Sequence, residues 1–524
     1  MLGRPGRIVK DNVKKLLALI CRILIFCNLV FCVFLSAGCV FAGELKEITI
    51  LSMNDFHAQF YPSVSVNNEL AGGAAMIAGY VDHYKKKQNN VIWVVSGDFF
   101  KGSALDTATK GKASIEILNR FPPDAFALGN HEFDWGLGVL GRRMKEAKFP
   151  FICANLTLET DNRKYFTQPY LIKEINGVKV LFVGVIMEKL DNFIGKNNAK
   201  GLRTQPTWTA MEKICKDLGP AGLTVVLSHQ GLEMDESMAR SLSPACGVDV
   251  IIGGHSHDST ETPEEINHII ITQAGSYGQY LGKLDVTVEP ARGRVENYTW
   301  ELLPAVETAE IKPDRGVAEL IEKLEKKYTP GINRVIGKNN AGTGFNTANF
   351  ACDAPAEQLG ADICFVNSGG IRKTQFGGEI RARDIWEAFP FEDYWVIFRI
   401  TPAQLWKLIE NNVKREGESL VFSKAVNYSY DSSLPAGSRV LEVKVNGRAI
   451  DRNDAKTLYS CATVDFLWNK MDQTGVPAGE LRKNGPCTEF KDRNYRETYI
   501  DYIRKHKVLA TNAQTRAKDI SEWR

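Results

Sequence analysis

Short apolar runs alternate with amphipathic stretches along the first half of the chain. Runs such as "VIWVVSGD" (91–98) and "LTVVLSHQG" (223–231) are short and rich in β-branched residues, as buried strands are. Between them lie stretches such as "GGAAMIAGYVDHYKKKQ" (72–88), in which apolar residues recur at helical spacing. The alternation predicts an α/β fold in which helices cover layered sheets.

The same pattern divides the chain into parts. A chain of 524 residues is too long for one hydrophobic core, so two domains are expected. Residues 306–334 are charged, carry a helical pattern and close with Pro-Gly, which predicts a helical linker. We therefore expect a layered α/β domain over 43–305 and a smaller domain of mixed α and β structure over 335–524.

Residues 1–42 are predicted to be a signal peptide or an N-terminal anchor. A basic stretch precedes the apolar run "ILIFCNLVFCVFLSAGCVFA", which ends in small residues at a suitable cleavage site. Cys39 leaves lipid attachment open, and a retained anchor is the other alternative. Each alternative predicts an exported protein, in the periplasm or at the cell surface, with membrane contact only if the leader is retained or lipidated.

The balance of charge excludes one class of partner. The leader holds six of the 65 Lys and Arg residues and one of the 62 Asp and Glu residues, so the rest of the chain has 59 basic and 61 acidic residues. This balance predicts no basic face, and a nucleic-acid polymer is therefore not an expected partner.

Polar side chains follow the predicted strands at the points where the strands end. Asp55 and His57 follow "ITILSM", and His255 and His257 follow "VDVIIGG". Because sites in α/β sheets form outside the carboxyl ends of strands, we expect these side chains to converge. The full set is Asp55, His57, Asp98, Asn130, His131, Asp134, His229, His255 and His257.

The types of these residues indicate divalent metal ions. Carboxylates, imidazoles and one carboxamide, without thiolates, suit Zn, Mn, Co or Mg. Two ions roughly 3.5–4 Å apart can activate water and clamp the oxygens of a phosphoester during hydrolysis. Seven candidate ligands with one bridging carboxylate make two sites of four: Asp55, His57, Asp98, Asn130, His229, His255 and His257.

His131 and Asp134 remain as a pair three residues apart, which could stabilise or protonate an oxyanion. Each of the strand-end motifs, taken alone, is more often a turn, a helix cap or an ordinary polar residue. Five such motifs in order on five strands favour the metal site.

The motifs "NDFH", "GDFFKGS", "GNHEFD", "SHQG" and "GGHSH" resemble those of calcineurin-like metallophosphatases. Longer stretches, including "GVDVIIGGHSHD", "GADICFVNSGGIR" and "AFPFED", are similar to 5′-nucleotidases and periplasmic UDP-sugar hydrolases. The resemblance covers residues 47–475. It implies a metallophosphatase domain over 43–305 and a substrate-binding domain over 335–524.

The resemblance also implies a role for each site residue. Asp98 would bridge two divalent ions, and His131 and Asp134 would be the catalytic dyad. One ion would be completed by Asp55, His57 and His257, and the other by Asn130, His229 and His255.

In the second domain the resemblance implies a nucleotide pocket. Asn367 and Arg372 would contact the nucleotide, and Arg372 offers a planar fork of donors for an anion. Phe391 and Phe466 would sandwich the base, and Asp472 would bind the ribose. The alternative is that the two rings are core residues and that Arg372 is a surface ion-pair partner.

The pocket departs from the family pattern at three places, one of which is the lack of an Arg that many members carry shortly before "CDA". Glu392 and Asp393 follow "PF" where the family commonly has Gly-Asn, and "NKMDQT" replaces a glycine-rich stretch. These changes put the nucleoside specificity in doubt while the metal ligands are intact.

The predicted function is therefore that of an exported two-metal phosphohydrolase that removes the 5′-phosphate from nucleotides, with a small-molecule nucleotide as substrate. A UDP-sugar, NAD or a 2′,3′-cyclic nucleotide is an alternative substrate of the same site. A surface binding protein that reuses the scaffold is the alternative from another class.

Seven cysteines lie beyond the leader, and export permits disulfides. The resemblance pairs Cys352 with Cys364. Two further candidate pairs are Cys461 with Cys487 and Cys215 with Cys246, which leaves Cys153 free.

Overall fold

A computed structural model describes residues 44–521, except 63, 67–68, 195–197, 199, 220, 291–292, 374 and 414–418. The predicted leader lies outside these residues. In the part of the chain that is described, no helix has the length and apolar character that crossing a membrane requires.

Two six-stranded sheets form the centre of the first domain. The strand orders are β17-β16-β1-β4-β5-β6 and β14-β15-β13-β12-β10-β9 when strands are numbered along the chain. The strands β1 to β17 are Lys46–Met53, Val64–Val66, Glu69–Ala71, Val91–Ser96, Ala125–Ala127, Phe151–Ile152, Leu156–Leu158, Asp161–Tyr165, Tyr170–Ile175, Val178–Ile186, Leu202–Thr204, Leu223–His229, Val250–Ile252, Glu264–Ile266, Ile269–Thr272, Tyr280–Glu289 and Arg294–Pro304.

Helices cover the outer faces of both sheets. Helices α1 to α7 are Ala74–Lys87, Ala104–Thr109, Lys112–Leu118, Leu137–Glu146, Thr207–Leu218, Leu232–Ser241 and Arg315–Tyr328. The inner faces of the two sheets share one core, which includes Ile50, Val94, Val180 and Val225. Helices α1 to α4 pack on the first sheet and α5 and α6 on the second. This is the layered αββα arrangement that the sequence predicts.

The central strands of each sheet run parallel. β1 pairs with β4 and β4 with β5 in the first sheet, while β12 pairs with β13 in the second. Parallel strands end at a common edge of their sheet, so the loops that follow them lie together. The predicted metal ligands and the His131–Asp134 pair lie in those loops, except His229, which is the last residue of β12.

The predicted linker contains α7. Asp314 caps this helix by accepting a hydrogen bond from Val317 N. Its apolar residues Val317, Ile321 and Leu324 are buried in the same core as α1. On the other side, Glu325 pairs with Arg383 of the second domain at 2.7 Å, so the helix contacts both domains.

The second domain combines a five-stranded, a four-stranded and a three-stranded sheet, with orders β22-β19-β26-β21-β27, β25-β24-β23-β29 and β20-β18-β28. Strands β18 to β29 are Val335–Asn339, Ile363–Asn367, Glu379–Arg381, Trp395–Ile400, Leu420–Phe422, Val426–Tyr430, Val440–Val445, Arg448–Ala449, Tyr459–Val464, Thr488–Glu489, Val508–Leu509 and Ala517–Asp519. Helices α8 to α13 are Thr347–Leu359, Ala382–Ala388, Pro402–Asn412, Asp465–Trp468, Ala478–Leu481 and Tyr495–His506.

The cysteines confirm one of the three candidate pairs and contradict the other two. Cys215 and Cys246 form a disulfide. Cys352 and Cys364 do not: both are free and buried, so the pairing implied by the resemblance is wrong here. The Cys352 thiol donates to the Val421 carbonyl at 3.1 Å, and burial together with the adjacent Cys352 raises the pKa of Cys364, so both sulfurs are neutral thiols in the core. The pairing of Cys461 with Cys487 is also absent, since both are free thiols.

A buried carboxyl group makes the stability of the first domain depend on pH. Burial raises the pKa of Asp249 from 3.8 to about 7, although Thr224 N donates to its Oδ2 at 2.8 Å. The folded state therefore holds a proton that the unfolded state releases, and stability falls as pH rises from about 4 to about 7. We expect Asp249→Asn to raise the melting temperature relative to the parent protein more at pH 8 than at pH 5.

Thermal melts of both proteins at the two pH values measure this difference. Asp82→Asn, on the exposed face of α1, is the matched control and should leave the melting temperature unchanged. An equal effect of Asp249→Asn at pH 5 and pH 8 would contradict the prediction.

Candidate metal centre

Five strand ends and the loops that follow them bring the predicted ligands together at the edges of the two sheets. The loops after β1, β4 and β5 come from the first sheet, and those after β12 and β13 from the second. Ligand atoms lie within 4.8 Å of one another in three groups that could hold metal ions. These groups are Asp55–His57–His257, Asp98–His229–His255 and His57–Asp98–His131.

Each of the two carboxylates has one oxygen tied to the backbone and one facing imidazoles. Asp55 Oδ2 accepts from His255 N at 2.8 Å, which leaves Oδ1 at 3.3 Å from His257 Nε2. Asp98 Oδ1 accepts from His131 N at 2.8 Å, which leaves Oδ2 at 3.1 Å from His229 Nε2. In each carboxylate, the hydrogen bond to one oxygen therefore orients the other oxygen, as is common for carboxylates that ligate metals.

His229 is oriented in the same way. Its Nδ1 lies 2.7 Å from the Ser96 carbonyl, to which it can donate, so Nε2 faces the two carboxylates. The close approach needs glycine: a Cβ on Gly97, which has φ +79°, would lie 2.5 Å from His229 Nδ1. A Cβ on Gly254 would lie 2.9 Å from the same atom.

The backbone of the site is in the left-handed region, which non-glycine residues rarely adopt. Positive φ angles occur at Asp55 (49°), His57 (49°), Asp98 (52°), His255 (81°) and His257 (64°). Such strain is costly and persists where the surrounding structure enforces it, typically at functional sites. The left-handed turns also separate His255 from His257, so that each imidazole belongs to a different group of ligands.

The charges of these groups suit a cation. His229 and His257 outweigh burial and lower the pKa of Asp55, and His229 and His131 do the same for Asp98, so both carboxylates are ionised. Burial, reinforced by neighbouring imidazoles, holds the pKa of His57 well below its usual value and lowers that of His255 to about 4. Neutral imidazoles and ionised carboxylates are the forms that bind metals.

Two further observations fit a divalent cation. Burial opposes protonation of His229, yet Asp98 and Asp55 raise its pKa to about 10, which shows that the carboxylates favour positive charge at this place. The side-chain oxygen of Asn130 is buried and accepts no hydrogen bond from the described residues. A buried amide oxygen without a donor is costly, and a cation would satisfy it.

His131 and Asp134 form the predicted pair. His131 Nδ1 lies 3.0 Å from Asp134 Oδ2, and both side chains are largely buried. Burial disfavours the imidazolium, but the carboxylates of Asp134 and Asp98 outweigh burial and raise the pKa of His131. His131 Nε2 lies 4.0 Å from Asp98 Oδ2, so the pair borders the metal ligands.

Glu132 is a supporting residue that the sequence did not single out, although it lies within "GNHEFD". Its Oε2 accepts from the backbone N–H groups of Asp98 and Gly129 at 2.9 and 2.7 Å. Its Oε1 accepts from Phe99 N and Phe100 N. Glu132 therefore joins the loop after β4 to the loop after β5, and burial together with Asp98 raises its pKa to about 7.

The second domain reaches the metal ligands through Arg372 and Phe391. Both line one cavity with His57 and His131. The Phe391 ring lies 6.1 Å from the His131 ring, and the Arg372 guanidinium lies 5.4 Å from the Phe391 ring centre. Two of the residues predicted to contact the nucleotide are thus adjacent to the predicted dyad.

The other predicted pocket residues lie outside this cavity. Phe466 is 38% exposed, and Lys470 Nζ lies 4.1 Å from its ring centre. Asn367 ends β19, and Asp472 lies in a short 3-10 helix. Among the described residues the rings of Phe391 and Phe466 make no contact with each other, so a stacking slot between them stays a prediction.

Glu392 and Asp393, the two acidic residues that depart from the family pattern, differ in their exposure to solvent. Glu392 is exposed, whereas Asp393 is more sheltered. Burial and the neighbouring Asp465 raise the pKa of Asp393 to about 7, against the effect of Lys101 and Arg496. Asp393 therefore adds less negative charge near the cavity than the sequence suggests.

The grouping of ligands gives a prediction for His257. His257→Ala removes an imidazole from the Asp55 group and leaves Asp98, His229 and His255 intact, so we expect the bound metal to fall from two ions to one per chain. Metal analysis after gel filtration measures the ratio. His268→Ala, at an exposed turn, is the control. Loss of both ions, or of neither, would contradict the assignment of His257 to one group.

Comparisons with known proteins agree with this geometry. Residues 48–259 match the family described as calcineurin-like phosphoesterase, and residues 326–478 match the 5′-nucleotidase C-terminal domain. The chain is 27% identical over 471 residues to the snake venom 5′-nucleotidase of Crotalus adamanteus, covering 79% of this chain and 78% of the relative. It is 26% identical over 537 residues to human 5′-nucleotidase, covering 91% and 92%. The crystal structure of a 5′-nucleotidase precursor from Thermus thermophilus shares the fold, with a TM-score of 0.78, 24% identity, and coverage of 90% of this chain and 99% of that one.

Proposed function

Because the chain belongs to the 5′-nucleotidase family and is a metal-dependent phosphoester hydrolase, we propose that it removes the phosphate from nucleoside 5′-monophosphates. The observation that carries this proposal is the cavity lined from both domains. His57 and His131 contribute from the first domain, and Arg372 and Phe391 from the second. In this cavity the candidate metal centre lies beside the Arg372 guanidinium, which can bind an anion, and the Phe391 ring, which can stack on a base.

In this proposal Asp98 would be shared by two divalent ions of the Zn, Mn, Co or Mg type. Asp55, His57 and His257 would hold one ion, and Asn130, His229 and His255 would hold the other. The carboxylate at position 98 is suited to this role because its Oδ2 faces the imidazoles while its Oδ1 is held by His131 N.

Other side chains bind the substrate and stabilise the charge that develops during the reaction. When bound, divalent ions polarise the phosphoryl group and activate water for attack. The His131 imidazole, held by Asp134 at 3.0 Å, stabilises the charge that develops on a phosphoryl oxygen and can pass a proton to the leaving alkoxide. Arg372 binds a phosphate oxygen through its fork of N–H groups. Phe391 offers its ring to the nucleoside.

We further propose that the enzyme acts outside the cytoplasm. The predicted leader is one reason, and the disulfide between Cys215 and Cys246 supports it, since disulfides persist in oxidising compartments. Asn367, Phe466 and Asp472 complete the nucleotide pocket in this proposal, although they lie outside the cavity in this conformation.

A substrate panel tests the proposed activity. The purified protein with Mn²⁺ or Co²⁺ is assayed against AMP, UMP, UDP-glucose, NAD, 2′,3′-cyclic AMP and p-nitrophenyl phosphate. We expect the highest kcat/KM for a nucleoside 5′-monophosphate. Cleavage of UDP-glucose, NAD or the cyclic nucleotide without turnover of AMP and UMP would overturn the proposed substrate class while keeping the hydrolase.

Phe391→Ala separates nucleoside recognition from chemistry in the same assays. If the ring contacts the nucleoside, KM for the nucleotide rises by roughly tenfold, because a base–aromatic stack is worth about 1–3 kcal/mol. KM for p-nitrophenyl phosphate, which has no base, serves as the internal control. An equal change for both substrates would remove Phe391 from nucleoside recognition.

A further inference from the structure

Lys101 has a largely buried side chain that places its ammonium at the cavity lined by His131. Its side chain is 6% exposed and lines this cavity with His131 and Arg372. Its nearest carboxylate oxygen is Asp134 Oδ2 at 3.9 Å, beyond hydrogen-bond distance, and the Trp135 ring centre lies 5.3 Å away. Within the described part of the chain no acceptor lies within hydrogen-bond distance of Nζ.

An ammonium has three N–H donors and is strongly hydrated in water. The Lys101 side chain gives up most of that hydration on burial, so its N–H groups can bind the oxygen acceptors of a ligand that enters the cavity. Phosphate oxygens are such acceptors, and bonds between an ammonium and a charged oxygen are stronger than neutral ones.

The backbone holds Lys101 firmly. The residue has a left-handed φ of 67°, and its N–H donates to Asp106 Oδ2 at 2.8 Å. The next residue, Gly102, packs so tightly on the first ligand loop that an added Cβ would lie 1.9 Å from the His57 carbonyl oxygen. These contacts therefore hold the backbone of Lys101 in a fixed position relative to the loop that carries His57.

We propose that Lys101 binds a non-bridging oxygen of the substrate's phosphoryl group and makes the site select phosphate monoesters over diesters. The inference rests on the proposed function for the identity of the reacting group. A monoester carries close to two negative charges at neutral pH, because its second pKa is about 6, whereas a diester carries one. A second fixed cation beside Arg372 therefore stabilises the monoester more than the diester.

Lys101 could instead act only through Asp134, by fixing the carboxylate that holds His131. That role would change the chemistry of every ester equally and would leave the binding of inorganic phosphate unchanged. The selectivity between esters and the affinity for phosphate therefore distinguish contact with the substrate from a purely structural role.

The test compares Lys101→Met and Lys101→Gln with the parent enzyme in its metal-loaded form. Lys110→Met is the matched control, since Lys110 is an exposed cation at the C-terminal end of α2, the helix that follows Lys101. p-Nitrophenyl phosphate and bis(p-nitrophenyl) phosphate share a leaving group and differ in charge. Inhibition by inorganic phosphate gives a binding measurement that needs no particular nucleotide.

For both Lys101 variants we expect kcat/KM for the monoester to fall by about 10- to 100-fold, the range typical of a lost hydrogen bond to a charged group. The diester should lose less than about threefold, and the inhibition constant of phosphate should rise about tenfold. Lys110→Met should match the parent. Equal losses for the two esters, or an unchanged phosphate constant, would overturn the proposal. Failure of AMP turnover in the parent would overturn the nucleotide assignment alone, because neither test ester contains a nucleoside.

Discussion

Asp98→Asn is expected to remove most bound metal and to lower phosphatase activity by at least about 1,000-fold. Asp98 belongs to two of the three ligand groups, and its Oδ2 lies 3.1 Å from His229 Nε2. The carboxamide keeps the shape of the side chain and an acceptor for His131 N, so the loop should remain folded. The negative charge is lost, and with it the largest favourable interaction that a shared carboxylate offers to two cations.

Two measurements check this expectation. Metal analysis gives the number of ions per chain, and hydrolysis of p-nitrophenyl phosphate gives activity at saturating Mn²⁺. Asp82→Asn, an exposed carboxylate on α1, is the matched control and should behave as the parent protein. Retention of two ions with parental turnover in Asp98→Asn would remove the bridging role.

His131→Ala is expected to leave both ions bound and to lower kcat by about 100- to 10,000-fold, the range typical of a positioned general acid or base. His131 is held by Asp134 at 3.0 Å and contacts the Phe391 ring, so it faces the space where the two domains meet. Its ring is not needed by the group Asp55–His57–His257 or by the group Asp98–His229–His255. Metal binding and turnover should therefore separate in this variant.

His268→Ala provides the matched control for His131→Ala, because His268 is exposed at the turn between β14 and β15. Steady-state kinetics and metal analysis are made on the same preparations. Full activity in His131→Ala would exclude His131 from catalysis. Loss of metal in that variant would instead make His131 a ligand, as its place in a third ligand group with His57 and Asp98 allows.

The local pattern of apolar and polar residues predicts the layers of helices and sheets in the first domain. Runs such as that of β4 (Val91–Ser96) are buried along their whole length, as strands covered on both faces must be. Helix α1 (Ala74–Lys87) lies within the stretch 72–88 that has helical spacing. These features depend on residues close in sequence, so the sequence alone predicts them. The closing strands β16 and β17, which pair antiparallel to each other, lie beyond the last predicted strand.

The candidate metal ligands could be named from the sequence because each follows an apolar strand and has a suitable side chain. The sequence could not predict how these ligands are arranged into groups. An extended chain would put His255 and His257 on one side, but both residues have left-handed backbone angles and lie in different ligand groups. His255 N donates a hydrogen bond to Asp55, which is 200 residues away along the chain, so the position of His255 depends on a contact that the local sequence does not contain.

The state of Cys352 and Cys364 could not be predicted from the sequence either. The resemblance paired them, but both are free thiols in the core of this protein.

The sequence by itself determined the αββα layers, the division into two domains and the residue types that collect at the strand ends, because periodicity and strand-end chemistry are local. Only the tertiary structure decided which ligands share a group, that Glu132 joins two loops, and that Lys101 and Arg372 face one cavity. Those features depend on loops and domains far apart in sequence, whose meeting is set by packing of the whole molecule.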